Sequence, residues 1–494
     1  MKTGIYSSDV FGNIIEFQCK VTKGLPSVQI VGLASKSIDE AKDRVRAAFH
    51  SAGLDFPKGR VLVNLSPADL PKEGSSYNLP IAISILQASV QIRPLNSKIF
   101  AVGEMSLDGL VLPVKGIIGR ISKCPKDISA VLVSSDNYWQ AKKATDKRVI
   151  PIQSIRNFVE ILSGLSSPNI PKDASPTRLA TNYDDAFSEI RGQELAKRAI
   201  ILAASGHHNV LLYGPPGTGK SMLAKAFVSL LPNLSESEQL QTTHIHSLRD
   251  YSKDEMLVRP PLRAPHHSSS NVSIIGGGAK AKPGEISLAH NGVLFLDELL
   301  EFPRSCIEAL RQPLEDREIH ISRAEHSITY PASFTLIATM NPCPCGNLGS
   351  SKPCTCTAYA IESYQKRLSG PLLDRIDICI KVDEVPIDSL LKEIKPEPIQ
   401  DLRDKIEATL RLQHERNGGK YNSELSNKQI RNIKIDNDAR LLLDSAATKM
   451  KLSPRSYFRA LRVARTIADL DKRDEITTSD IAECLQYRQF THSN

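Results

Sequence analysis

Eight consecutive residues, Gly214-Pro215-Pro216-Gly217-Thr218-Gly219-Lys220-Ser221, follow the apolar stretch Asn209–Tyr213 and precede a helical pattern over Met222–Leu231. Glycines at this spacing let backbone N–H groups wrap a β-phosphate at a helix N-terminus. Lys220 then offsets β/γ charge, and the Ser221 hydroxyl suits a Mg²⁺ ligand. A second apolar run, Gly292–Leu296, leads into Asp297 and Glu298. Asp297 suits the Mg²⁺ shell, and Glu298, facing elsewhere one residue later, suits polarising an attacking water. An N-capping role would account for Asp297 alone, but not for two carboxylates after a buried strand. A third run, Ser333–Thr339, brings Asn341 to a strand tip, where its amide can orient the water; a plain turn residue is the alternative. This set predicts ATP hydrolysis with ATP and Mg²⁺.

Cys343, Cys345, Cys354 and Cys356 form a C-x-C…C-x-C pattern directly after Asn341. Four thiolates in two close pairs suit tetrahedral Zn²⁺ with no open position, hence a structural site. Free thiols are the alternative. The other five cysteines are scattered and read as ordinary buried thiols.

Two further segments carry charge beside the nucleotide residues. Arg259 to Gly284 contains Arg259, Arg263, His266, His267, Lys280 and Lys282, no acid, and a Ser/Gly-rich centre. It reads as a flexible basic loop able to grip a charged polymer. Glu318 to Tyr330 alternates on both sides of Arg323-Ala324-Glu325 and predicts a β-hairpin. Arg455, Arg459 and Arg462 share one face of a helix that also carries Arg465; a solvated face is expected, with phosphate-backbone contact as the alternative.

These residues need a scaffold. The chain has 494 residues, 41% hydrophobic and 24% charged, with a formal net charge of +8. That length implies two or three domains, and the composition excludes a disordered or collagen-like chain. The positive charge is compatible with a nucleic-acid partner. No apolar run approaches the ~20 residues that span a bilayer, and the start lacks the apolar core of a signal peptide, so a cytoplasmic location is expected. Residues 1–165 alternate apolar runs (Val28–Leu33, Arg60–Leu65, Val111–Val114, Ala130–Val133) with helical patterns such as Ser37–Ala52. Residues 166–183 read as a linker. Residues 184–394 hold the strands named above, separated by helical segments, which indicates a parallel sheet. Residues 395–494 are largely helical.

The arrangement of phosphate loop, Asp-Glu strand and Asn-tipped strand resembles the AAA+ ATPases, whose nucleotide sits between subunits. In that class Leu372-Leu373-Asp374-Arg375-Ile376-Asp377 looks like the segment carrying an arginine that reaches a neighbour's nucleotide. Arg375 is therefore the expected finger, with Arg367 as the second candidate and a surface ion pair as the plain alternative. Ser453-Pro454-Arg455 resembles the sensor-2 motif, with Arg459 one turn on as its competitor. The basic loop and the hairpin would line a central channel. Asp69-Leu70-Pro71-Lys72-Glu73-Gly74-Ser75-Ser76 and Gly103–Val114 resemble Lon proteases, with Ser76 at the nucleophile's place. The position of the Lon lysine is Ile118, and Lys115 is out of register. The resemblance thus implies a Lon-protease-like (ribosomal S5-like) α+β domain without peptidase activity, then an α/β AAA+ P-loop domain, then a helical lid.

Across the chain, VNLSPADLPKEGSSYNLPIA, GHHNVLLYGPPGTGKSMLAKA, GEISLAHNGVLFLDELLEF, ATMNPCPCG, SGPLLDRID and SPRSYFRALRVARTIADL together resemble the YifB/ComM family of magnesium-chelatase-like ATPases. That resemblance implies a hexameric ring acting on single-stranded and branched DNA, and driving branch migration during recombination of incoming DNA. Magnesium-chelatase motor subunits, which remodel a protein partner, share the core and are expected to lack the Lon-like domain. The same motifs would also serve an ATP-dependent peptidase or an ATP-switched scaffold.

Overall fold

The computed structural model describes residues 4–33, 35–70, 72, 74–172, 186–249, 256–278, 281–322, 327–385 and 398–488. The chain forms two compact units, Met1–Thr177 with Glu236–Leu257, and Arg178–Ser235 with Val258–Asn494.

The first unit is built on strands β1 (Ile5–Ser8), β2 (Ile14–Thr22), β3 (Ser27–Val31), β4 (Arg60–Ser66), β5 (Lys98–Ala101), β6 (Ile128–Ser134) and β7 (Arg148–Ile152), in the order β3-β4-β2-β1-β5-β6-β7. The β1/β2 and β2/β4 pairs are antiparallel and the others parallel. The helix Ala41–Ser51 buries Ala41, Val45, Ala48 and Phe49, the face its periodicity dictates. The expected strand Val111–Val114 is only Val111–Leu112, paired with Glu104–Met105 outside the main sheet. Pro113 ends it, having no N–H to donate to a ladder.

The stretch Glu236–Leu257 lies between ATPase motifs in sequence, yet it packs in this unit. Its helix, Glu236–Arg249, rests on the short helix Ile117–Ser122. Leu240 and Met256 join Phe100, Val114 and Ile118 in one apolar cluster. The chain leaves and re-enters the second unit at neighbouring points, where the Leu234 N–H donates to the Val258 carbonyl over 2.8 Å.

The second unit holds β8 (Val210–Tyr213), β9 (Leu262–Arg263), β10 (Gly292–Leu296), β11 (Glu318–Ser322), β12 (Ser327–Pro331), β13 (Phe334–Met340) and β14 (Ile378–Lys381). Its main sheet runs β9-β10-β13-β8-β14, and every pair is parallel. Near-continuous burial of β8, β10 and β13 matches a parallel sheet covered on both faces. The C-terminal helices Ile399–Asn417, Asn437–Lys449, Pro454–Leu470 and Thr478–Gln486 share one apolar cluster with the helix Glu194–Gly206 and the sheet. β11 and β12 pair antiparallel as the expected hairpin; its turn, Arg323 to His326, lies outside the described residues.

Candidate nucleotide site

The P-loop lies at the C-terminal end of β8, where open parallel sheets bind ligands. A Cβ on Gly214 would stand 2.1 Å from the Val382 carbonyl oxygen, so only glycine permits that turn. Gly217 and Gly219 adopt φ of +79° and +87°, the left-handed region glycine enters freely. Gly219 then caps the helix Lys220–Leu230, whose unpaired first N–H groups form an anion cradle.

Lys220 is buried, and its ammonium donates to the carbonyls of Gly214 and Pro215 at 2.8 and 2.7 Å. It also lies 3.4 Å from Asn341 Oδ1, so the amide at the tip of β13 reaches the lysine expected to bind phosphate. Burial lowers the Lys220 pKa, and the Asp297 and Glu298 carboxylates oppose that shift.

Ser221 Oγ donates to Asp297 Oδ2 over 3.0 Å, which brings the two expected Mg²⁺ ligands together. The other Asp297 oxygen accepts from Thr339 Oγ1 at 2.6 Å, and that hydroxyl accepts from the Glu298 N–H at 2.9 Å. Thr339 is fully buried on β13, beside the strand that carries the two acids. Sequence reading assigned it no role. Glu298 has φ +53° and a half-exposed side chain, and His267 Nδ1 stands 3.9 Å from its Oε2.

The four cysteine sulfurs all lie within 4.8 Å of one another. The Cys343–Cys345, Cys343–Cys354 and Cys345–Cys354 spacings are 3.5, 3.7 and 3.6 Å. Sulfurs about 2.3 Å from a tetrahedral centre are about 3.8 Å apart, so the donors fit a Zn²⁺-sized ion. Backbone hydrogen bonds from Asn347 and Thr355 help pull the Cys345 thiol down to about 6. A contact beyond the sequence reading is Gly346, whose Cβ position lies 2.9 Å from Pro216 Cδ. The cysteine loop abuts the P-loop.

Arg375 lies elsewhere. With Arg455, Arg459, Arg462 and Asp377 it lines a cavity of about 470 Å³ that includes Asn209. Asn209 precedes β8, whereas Lys220 follows it; four residues at about 3.3 Å each make a strand of about 13 Å. Arg375 and Arg455 therefore lie toward the end of the sheet opposite the P-loop of their own chain. The Arg375 guanidinium pairs with Glu315 and donates to the Pro371 carbonyl at 2.6 Å. Burial, then Arg455 and Arg311, lower its pKa. Arg367 is exposed.

On the arginine helix Arg455 is exposed, but Arg459, Arg462 and Arg465 are not solvated. Arg465 is 1% exposed and pairs with Asp469 at 2.9 Å. Arg459 meets Asp377 at 3.7 Å, and Arg462 donates to the Leu425 carbonyl at 2.8 Å. The neutralising groups, Asp377 and Asp469, lie outside the run from Arg455 to Arg465, so the expected solvated face does not hold for these arginines. Asp377 also faces His208 Nδ1 at 3.3 Å, and His208 Nε2 meets Thr466 Oγ1 at 2.8 Å. Burial alone would raise the Asp377 carboxyl, but His208 and Arg459 hold it far below the usual range.

The basic insert is more ordered than its composition implies. Ser270 caps a short helix, Asn271–Ile275, and Gly276–Gly277 pairs with Lys282–Pro283. Arg263 is neutralised by Glu285 at 2.6 Å, while Val272 and Lys282 remain exposed. Lys280 lies outside the described residues. The hairpin packs on this insert through Tyr330, whose hydroxyl donates to the Ala281 carbonyl at 2.9 Å.

In the first unit Ser76 is 3% exposed and its hydroxyl has no hydrogen-bond partner. Ile118 is buried and Lys115 is exposed. The Lys72 ammonium, also buried, donates to the Pro67 carbonyl. A serine nucleophile needs a base within hydrogen-bond reach, and Ser76 has none among the described residues.

Comparison with known proteins agrees with this anatomy. Family models described as magnesium chelatase, subunit ChlI, as subunit ChlI of Mg-chelatase, and as magnesium chelatase subunit ChlI C-terminal match residues 186–390, 17–137 and 396–488. The second match falls within residues 1–165, the region expected to form the Lon-like domain. Coverage separates the relatives. The competence protein ComM of Haemophilus influenzae is 41% identical over 490 residues, 98% of this chain and 96% of that protein. YifB of Escherichia coli is 39% identical over 478 residues, 96% and 94% of the two chains. The magnesium-chelatase 67 kDa subunit of Chlorobaculum parvum is 28% identical over 159 residues, only 32% of this chain and 23% of that one. The chain belongs to the YifB/ComM family of magnesium-chelatase-like AAA+ proteins.

Proposed function

We propose that the protein is an ATP-driven ring motor that moves branched DNA, with a role in the uptake and recombination of DNA. The observation that carries the ring is the separation of Arg375 and Arg455 from Lys220 by the length of β8. Two arginines set at the far end of β8 from their own chain's P-loop are placed to meet the phosphates of a neighbouring copy, Arg375 on release from Glu315. The DNA substrate rests on full-length similarity to a protein named for competence and on the exposed Lys282 of the insert.

In this reading Gly214 to Ser221 holds the phosphates, Lys220 neutralises them, and Ser221 with Asp297 holds Mg²⁺, which would supply charge neutralisation at the β- and γ-oxygens. Glu298 polarises the attacking water and Asn341 orients it. Cys343, Cys345, Cys354 and Cys356 hold a structural Zn²⁺ that braces the P-loop through Gly346. A partner-remodelling role like that of chelatase motors is the second reading, favoured by the descriptions of the matching family models. The test is ATP-dependent migration of a three- or four-stranded DNA junction by the pure protein, with ring formation followed by electron microscopy. Junction movement that stops in Lys220→Ala supports the motor. An ATPase indifferent to DNA and inert on junctions sinks it.

A further inference from the structure

The loop that carries Arg375 is fastened by a buried carboxylate two residues further on. We propose that Asp377 is a positioning residue that fixes where Arg375 stands for a neighbouring copy's nucleotide, with Arg459 as its tie to the lid helix and not as a phosphate sensor. This rests on reading Arg375 as the arginine that acts between copies.

Asp377 is 7% exposed. Its Oδ2 accepts the Asn209 N–H at 3.2 Å and lies 3.3 Å from His208 Nδ1. Its Oδ1 stands 3.7 Å from Arg459 Nε. The Asp377 N–H donates to the Asn209 carbonyl at 3.1 Å. One side chain thus joins the residues that enter β8, the loop before β14, and the helix Pro454–Leu470.

Its partners reach back to the loop. Asn209 Nδ2 donates to the Arg375 carbonyl at 2.9 Å, and Asn209 Oδ1 accepts the Leu336 N–H of β13 at 2.8 Å. Arg459 donates to the Ile376 carbonyl at 3.3 Å. Two successive carbonyls are therefore held by residues that Asp377 itself grips. The far ring nitrogen of His208 meets Thr466 Oγ1 at 2.8 Å, and that hydroxyl donates to the Arg462 carbonyl at 3.1 Å. Arg459 is spent on these contacts within its own chain and its side chain is 12% exposed, whereas Arg455, one turn earlier, is exposed. The helix that presents Arg455 also governs the Arg375 loop, so the two arginines move as one piece.

Stability alone does not account for such a set. A buried ion pair is often no better than apolar side chains of the same volume; directional polar partners add a defined position. Position is what an arginine acting on a transition state requires, since a displacement of about 1 Å can cost about 10²-fold in rate. Asp377 fixes the backbone from which the Arg375 side chain reaches out once it leaves Glu315.

The test measures ATP turnover against ATP concentration, with binding of a fluorescent ATP analogue, for the full chain and for Asp377→Asn, Arg459→Gln, Arg375→Ala and Lys220→Ala, singly and mixed in pairs. Expected for Asp377→Asn is a fall in kcat of about tenfold or more, with KM and analogue affinity unchanged within about twofold. Mixed with Lys220→Ala, which keeps Asp377 and Arg375, it should regain part of the turnover; mixed with Arg375→Ala it should regain none. A residue that only supports the fold of its own chain would not sort with Arg375 in this way. Arg459→Gln should behave like Asp377→Asn, and the double variant should lose little more than the worse single one, because both act through one contact. Asp377→Asn turnover within about twofold of the parent overturns the proposal, as does a loss that Lys220→Ala does not relieve in a co-purifying mixture. Losses that multiply in the double variant overturn the role of Arg459. Should Asp377→Asn not fold, Arg459→Gln decides through the same mixtures. The mixture of Arg375→Ala with Lys220→Ala separates the two failures. If it stays inactive while co-purifying, the reading of Arg375 is wrong and Asp377 falls with it; if it regains activity and the Asp377→Asn mixture does not, only the Asp377 proposal falls.

Discussion

Thr339 Oγ1 stands 2.6 Å from Asp297 Oδ1 and receives the Glu298 N–H at 2.9 Å, so one buried hydroxyl orients both acids of β10. Thr339→Val keeps the shape but leaves the carboxylate and the N–H without that partner. Losing such buried hydrogen bonds costs about 1–3 kcal/mol, and the misaligned Asp297 should cut ATP turnover about tenfold or more. Thr339→Ser should restore most of it. Equal activity of the Val and Ser variants would show that the hydroxyl does not position the acids.

The cysteine loop joins the metal question to the nucleotide question, because Gly346 packs against Pro216. Metal analysis of the purified protein should find one zinc per chain, and Cys354→Ser should release it. The melting temperature should fall, since binding energy at a structural zinc site is folding energy. ATP affinity should also weaken, by about fivefold if the brace is worth about 1 kcal/mol. Metal loss with no change in ATP affinity would separate the loop from the P-loop.

Much of this site is legible along the chain for a physical reason: its parts are contiguous. The P-loop, the Asp-Glu pair and the cysteine pairs each occupy a few successive residues, and a buried strand announces each. The helix Ala41–Ser51 is equally legible because its burial follows its own periodicity. What sequence hid depends on which residues the fold brings face to face, whether near or far along the chain. Arg465 looks solvated until Asp469 is seen facing it in the interior, and Arg263 looks available until Glu285 meets it. The helix Glu236–Arg249 sits among ATPase motifs but finds its apolar neighbours, Val114 and Ile118, in the first unit. Thr339 is visible in the sequence as part of a strand; only the register of β10 against β13, with Leu296 opposite Ala338, reveals that it faces the acids.

The position of Arg375 at the end of the sheet away from the P-loop makes an oligomer-specific forecast. Arg375→Ala should retain ATP binding but lose at least about tenfold in turnover, as expected for an arginine that stabilises transition-state charge. Mixed with Lys220→Ala, which keeps its arginine but lacks the phosphate lysine, it should regain part of the activity, because a mixed ring assembles complete sites. Two inactive variants that stay inactive together, while co-purifying as one assembly, would contradict action between copies.

Acid should weaken the second unit through His290. This side chain is 5% exposed, and its Nδ1 accepts the Ser333 N–H at 3.1 Å, so a proton on that nitrogen would break the contact. Burial lowers its pKa from 6.5 to about 4. Between those values the unfolded chain binds a proton that the folded chain does not. Stability from this group is therefore complete above about pH 6.5 and declines as pH falls toward about 4, by about 1.4 kcal/mol per pH unit. His290→Asn offers a carbonyl oxygen near the place of Nδ1 and does not titrate. Urea unfolding of the second unit, followed from about pH 7 to about pH 5, should lose less stability in the Asn variant than in the parent. Equal losses in both would mean that acid acts through other groups.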